Sequence, residues 1–159
     1  MKKYTSDSWA AANPHIYRKS YNLFDKTNKS AADGWIENTY LLETGTQAGA
    51  SYDVSVYISV NASTTYTLSF SDSLTVYAPS IHIYDTNKEF LSGIKFDGRH
   101  AVPIVVPENG AYIRISIQKT YIDTYMLNEG DTALPYEAYD TTPKWYAAAD
   151  HKYSSGAWS

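Results

Sequence analysis

The chain contains no cysteine among its 159 residues. That excludes a disulfide framework and any thiolate-based metal site. Long apolar runs are missing too. None approaches the ~18 residues a membrane-spanning helix needs, so no membrane insertion is expected. The opening Met1-Lys2-Lys3-Tyr4-Thr5-Ser6-Asp7 leads into no apolar stretch, and no secretory signal peptide is expected. Charge is sparse: Asp, Glu, Lys and Arg form 19% of the chain, with a formal net charge of −4. With a pI near 5.5, nucleic acid and anionic lipid are not expected as main partners. Ile, Leu, Val and Phe total only 30 residues of the 159. So low a share accompanies disorder only when net charge is high, and here the chain is expected to fold. What it has instead is tyrosine: 16 Tyr beside 4 Trp and 4 Phe. A core filled this way must accept rings whose polar ends want hydrogen-bond partners.

The length suits one domain with short extensions. The two ends resemble each other. Trp9-Ala10-Ala11-Ala12-Asn13-Pro14-His15-Ile16-Tyr17 aligns with Trp145-Tyr146-Ala147-Ala148-Ala149-Asp150-His151-Lys152-Tyr153, matching at Trp, Ala, Ala, His and Tyr. The reading is of short flanking repeats or linkers over 1–20 and 141–159, around a domain over 21–140. Units this short cannot bury a core alone.

Residues 21–140 read as all-β. Apolar and polar residues alternate along Asp53–Val60, Thr64–Phe70, Ser80–Tyr84, Val102–Val106 and Tyr112–Gln118, the period of half-buried strands. In the last of these, Ile113, Ile115 and Ile117 are expected inward, with Tyr112, Arg114, Ser116 and Gln118 outward. His82 and Tyr84 are likewise expected outward. Tyr121–Leu127 is expected as a last strand, and the polar segment 26–50 as a long loop with a short strand near Tyr40-Leu41-Leu42. Turn residues sit between the runs, as in Asp85-Thr86-Asn87-Lys88 and Asp97-Gly98. Short strands without helical periodicity between them point to a β-sandwich.

Chemical motifs are few. The chain has no HExxH, P-loop, GxGxxG or GxSxG sequence. Its four histidines, at 15, 82, 100 and 151, are scattered. Asp85-Thr86-Asn87 lacks the Gly and closing Glu of a calcium loop. No enzyme activity, cofactor or metal ligand is therefore expected, though a structural calcium ion stays open.

One ordered series of motifs is informative. Asn22-Leu23-Phe24-Asp25 opens it. Tyr57-Ile58-Ser59-Val60, Thr65-Tyr66-Thr67-Leu68, Ile83-Tyr84-Asp85 and Asn87-Lys88-Glu89-Phe90 follow. Next come Tyr112-Ile113-Arg114-Ile115-Ser116 and Met126-Leu127-Asn128-Glu129-Gly130, and Leu134-Pro135-Tyr136-Glu137-Ala138-Tyr139 closes it. Over about 120 residues this series resembles the carbohydrate-binding modules of bacteriophage tail proteins that infect Gram-positive bacteria. The flanking segments resemble short tail-protein repeats closed by Gly-Xaa-Trp, as in Gly156-Ala157-Trp158. The resemblance implies a jelly-roll β-sandwich of two antiparallel sheets and a non-catalytic role in host adhesion. It also implies a place on the virion tail at the host surface. The implied partners are a cell-wall polysaccharide or other surface glycan and further tail domains, with homo-oligomer formation left open in a longer parent protein. The alternative is a spacer or oligomerisation domain that binds no sugar.

A sugar ring offers C–H groups on one face and hydroxyls at its edge, which suits an aromatic platform bordered by hydrogen-bonding side chains. The residues expected to supply these are Trp35, Tyr40, Tyr77, His82, Tyr84, Tyr112, Arg114 and Tyr121. Each has a plainer reading. Trp35 can be a core plug, Arg114 can pair with an acid across the sheet, and Tyr84 and Tyr112 can be ordinary cross-strand aromatics.

Overall fold

A computed structural model describes residues 15–71 and 78–147. It is mostly strand. In chain order these are β1 (His15–Arg18), β2 (Ile36–Leu41), β3 (Thr46–Val54), β4 (Ile58–Ser59), β5 (Thr65–Ser69) and β6 (Ser80–Tyr84). They continue as β7 (Phe90–Lys95), β8 (Ala101–Val105), β9 (Tyr112–Gln118), β10 (Met126–Glu129) and β11 (Lys144–Ala147). Every described pairing is antiparallel. The larger sheet runs β2-β3-β9-β6-β7, with β4 also on β9, and the smaller runs β10-β5-β8. All-β architecture is as the sequence pattern predicts.

The two sheets share one apolar core, which makes the arrangement sandwich-like. Ile81 and Ile83 of β6 and Ile113, Ile115 and Ile117 of β9 join Tyr66 and Leu68 of β5, Val102 and Ile104 of β8 and Leu127 of β10 in it. Each fully buried Ile or Leu contributes roughly 1.5–3 kcal/mol through apolar area removed from water. The Tyr66 hydroxyl, as a buried phenol must, finds a partner: it accepts from the Asn61 amide at 2.8 Å. Pro103 lacks the N–H of an interior strand, and it sits on β8, an edge of the smaller sheet.

The short strand expected near Tyr40-Leu41-Leu42 is the end of β2, but the rest of the segment expected as a long loop is a 3-10 turn over Ala31–Asp33 and the β2–β3 hairpin. Its strands carry mostly polar and small residues, which hide the alternation that marks the other strands. The run 53–60 is divided. Ser55 turns its hydroxyl to accept from the Ile115 amide at 3.0 Å, and the Tyr57 amide leaves the ladder for Asp33 O at 3.0 Å. The strand expected over 121–127 is a 3-10 helix, Lys119–Thr124, followed by β10. There the Thr124 hydroxyl donates to Tyr121 O at 2.8 Å, a local bond that competes with extended pairing.

Two polar side chains fasten the domain's ends. Asn22, 3% exposed, donates to Tyr125 O and Glu137 O and accepts from the Phe24 and Leu127 amides. Glu137 accepts both guanidinium nitrogens of Arg18, at 2.5 and 3.1 Å, as well as the Tyr21 amide. The Arg18 guanidinium lies between the Tyr21 and Tyr146 rings, 3.4 and 3.8 Å from their centroids. β1 and β11 form a separate two-stranded ribbon. In it Tyr17, closing the first flanking repeat, stands opposite Trp145, which opens the second. Most of both repeats lies outside the described residues.

The free end of the β2–β3 hairpin folds back across the larger sheet, where its Glu43 backbone lies against Gly93 of β7. A methyl group on Gly93 would collide with that backbone, whereas Gly45 at the hairpin tip has open space around it. Gly93→Ala should therefore cost on the order of 1–3 kcal/mol, and Gly45→Ala little. Urea denaturation of the two variants checks this.

Candidate functional site

Four of the residues expected to bind sugar do converge. His82 and Tyr84 lie on β6 beside Arg114 and Tyr112 of β9, in direct register. Tyr57 completes the group, its ring centroid 5.0 Å from Tyr84 and 5.9 Å from Tyr112. The Arg114 guanidinium lies 4.6 Å from the Tyr57 centroid.

The expectation that this face is exposed is overturned. His82, Tyr84 and Arg114 are 4%, 7% and 6% exposed, and Ser116 and Gln118 are buried with them. The cover is the β2–β3 hairpin and the turn before it. The Leu41 amide donates to Ser116 Oγ at 2.9 Å, and Ser116 Oγ donates onward to Ser80 O at 2.9 Å. Leu42 O accepts from His82 Nε2, and Gly34 O accepts from Arg114, whose Nε also donates to Ser55 O at 3.1 Å. Only the rim stays open: Tyr57 and Tyr112 are half-buried, with the exposed Lys88 ammonium 4.8 Å from the Tyr57 ring.

The remaining expected residues lie elsewhere. Trp35 is not an exposed indole; at 5% exposure it belongs to the core with Phe24 and Val56. It is drawn inward because its amide donates to Ser30 O and the following chain pairs with β3. Tyr40 is half-buried on the hairpin, packed on the equally half-buried Tyr52 at 5.3 Å. Tyr121 is half-buried in the 3-10 helix, against the core. Tyr77 lies outside the described residues.

Buried ionisable groups on this face are electrostatically set. Burial lowers the His82 pKa from its usual 6.5, and Arg114 adds to the lowering against the opposing bond to Leu42 O. The imidazole is thus neutral at pH 7. Because Leu42 O can only accept, Nε2 carries the proton, and Nδ1 accepts from the Tyr84 hydroxyl at 3.1 Å. Burial raises the Tyr84 pKa above its usual 10.0, so that hydroxyl keeps its proton.

The rings that meet solvent were not among the expected binding residues. Among the described residues, Tyr136 and Tyr139 are 48% and 39% exposed, Tyr17 and Trp145 58% and 63%, and Phe90 of β7, its ring 4.7 Å from that of His82, 43%. Tyr17 and Trp145 pack together at 5.2 Å on one face of the ribbon. Tyr136 follows Pro135 and sits between the buried Leu134 and Glu137. A shallow hollow of ≈ 390 Å³ is lined by Tyr136, Asp140, Lys144 and Tyr146. The Lys144 ammonium and the Thr142 amide hold the Asp140 carboxyl below its usual range. The one sequence signal for Tyr136 is its place between two residues that the closing motif buries. Among the described residues, no three His, Asp or Glu side chains gather as a metal site.

No protein-family model, no curated protein and no solved structure matches the chain.

For His82 the sign is fixed. The unfolded chain takes up a proton near pH 6.5 that the folded chain resists, so stability rises with pH. This contribution is complete above about pH 6.5 and is lost as pH falls towards the lowered folded value. The melting temperature should drop between pH 7.5 and 5.5, and the drop should shrink in His82→Gln. An unchanged drop in that variant, read by calorimetry, would show that other groups cause it. Asp140 loses its contribution in a separate window, below its usual 3.8.

Proposed function

We propose that the chain is a non-catalytic carbohydrate-binding module of a bacteriophage tail protein, with a jelly-roll arrangement of its two sheets. In this reading it adheres to a polysaccharide on the host cell surface, alongside other tail domains. The observation that carries the reading is the set of solvent-facing rings at Tyr17, Tyr136, Tyr139 and Trp145, with polar and charged groups beside Tyr136. The ordered motif series, from Asn22-Leu23-Phe24-Asp25 to the Tyr139 segment, supports the same reading. Rings on a shallow surface suit the C–H faces of sugars. They also bind weakly one at a time, and a tail with many copies supplies avidity. No cofactor is required.

A second reading, a spacer or oligomerisation domain that binds no sugar, draws on the Tyr17–Trp145 pair. Two large apolar side chains so exposed on one ribbon are the kind of surface a neighbouring subunit covers.

Titration with purified cell-wall polysaccharides of Gram-positive bacteria separates the two readings. Binding with a Kd of roughly 10 μM to 1 mM, about −7 to −4 kcal/mol, is expected. A chain that binds no saccharide at millimolar concentration defeats the adhesion reading. A stable trimer in light scattering, with tryptophan fluorescence indifferent to sugar, would establish the spacer.

A further inference from the structure

We propose that Tyr136 is the shared platform of a two-part site for an uncharged, hydroxyl-rich polysaccharide; this rests on the glycan-binding reading above. Tyr136 lines two hollows. One, of ≈ 390 Å³, is bordered by Asp140, Lys144 and Tyr146. The other, of ≈ 360 Å³, is bordered by Ser69, Phe70, Ser71, Asp123 and Thr124. Both volumes fall in the range of about 300–1,000 Å³ common to small-ligand sites. An exposed ring between two such hollows lets consecutive sugars of one chain lie on either side of it.

The platform is held in place before a ligand arrives. Pro135 restricts the backbone on one side of Tyr136. Leu134 before it is buried, and its amide donates to Asn128 Oδ1 at 3.3 Å. Glu137 after it is gripped by Arg18, Ser20 and the Tyr21 amide. The ring therefore loses little freedom on binding, which is where a weak site gains most. The rim suits sugar hydroxyls, which both donate and accept. Ser69 and Ser71 carry hydroxyls of the same dual character, Asp123 and Asp140 accept, and Lys144 donates.

The charges select the class of polymer. In the first hollow Asp140 is matched by Lys144, and in the second Asp123 by Lys26 at 2.6 Å. Glu137 in the first hollow is matched by Arg18. Fixed charge at the site thus sums to zero, on a chain whose formal net charge is −4. A polymer of phosphates finds no unmatched cation here and a repelling field around it. A neutral chain is met by hydrogen bonds alone.

The test measures binding by titration calorimetry against dextran, a galactan and a rhamnose–glucose cell-wall polysaccharide, beside a polyglycerol-phosphate teichoic acid. The expected result is binding of at least one neutral polymer, none of the teichoic acid, and at least tenfold weaker binding by Tyr136→Ala. Tyr136→Phe should bind nearly as well as the parent, and Val105→Ala, at an exposed position of β8 outside both hollows, within twofold of it. Melting temperatures should confirm that each variant folds, since Tyr136 is half-exposed. Neutral-polymer binding that Tyr136→Ala retains overturns this site while leaving the adhesion reading intact. Binding of the teichoic acid alone overturns the neutral class. Binding of no polymer defeats the adhesion reading itself, and this site with it.

Discussion

The outer face of the larger sheet is organised around one buried charge. Arg114 is 6% exposed, and removing a guanidinium from water is costly unless its donors are satisfied. Its partners are backbone carbonyls rather than an acid: Ser55 O and Gly34 O, with the Tyr57 ring against its face. Each demand shapes the chain. Ser55 must leave the regular ladder, which breaks the run between β3 and β4. Gly34 must bring its carbonyl inward with a φ of 105°, and a side chain there would meet the Tyr57 ring at 2.6 Å. The turn that delivers Gly34 O also carries Trp35 into the core. The burial of Trp35 and the interruption after β3 are both consequences of solvating one cation with protein.

The closing segment is governed by a second polar centre. Asn22 and Glu137 join chain ends 115 residues apart through the bond from Asn22 Nδ2 to Glu137 O at 2.8 Å. Asn22 also covers the edge of β10, where Leu23 N donates to Leu127 O at 2.8 Å. An edge strand left open is a pairing hazard, and here the opening motif closes it. Tyr136 turns outward because Leu134, two residues before it, and Glu137, directly after it, are both drawn in.

This explains what was legible in the sequence. The inward set of Ile113, Ile115 and Ile117 is correct because period 2 reports the alternation of side chains within a strand. The opposite set, Arg114 with His82 and Tyr84, was misjudged for a reason the period cannot carry. A polar residue on a strand signals a face that is not apolar; it does not say that water is what lies against it. Here the cover comes from Leu41 and its neighbours, 75 residues earlier than Ser116, and it brings carbonyls and amides instead of apolar groups. The hairpin leaves no strand signature in the sequence because Thr46–Ser51 is exposed almost throughout and so shows no burial period. Tyr136 escaped because the strand test says nothing about a segment outside strands.

The β1–β11 ribbon also sets how the domain responds to tension. Its two strands leave the domain side by side, with His15 opposite Ala147 at the far end and Arg18 opposite Lys144 at the near end. A pull applied across the two outer ends loads these pairs one after another, as a zipper does, rather than all at once. Peeling would run inward through Tyr146, one of the two rings against Arg18, and end at Arg18 itself, held by Tyr21 and Glu137. Under such a load the ribbon's pairs part singly, and the Arg18–Glu137 pair behind them is the last to be reached.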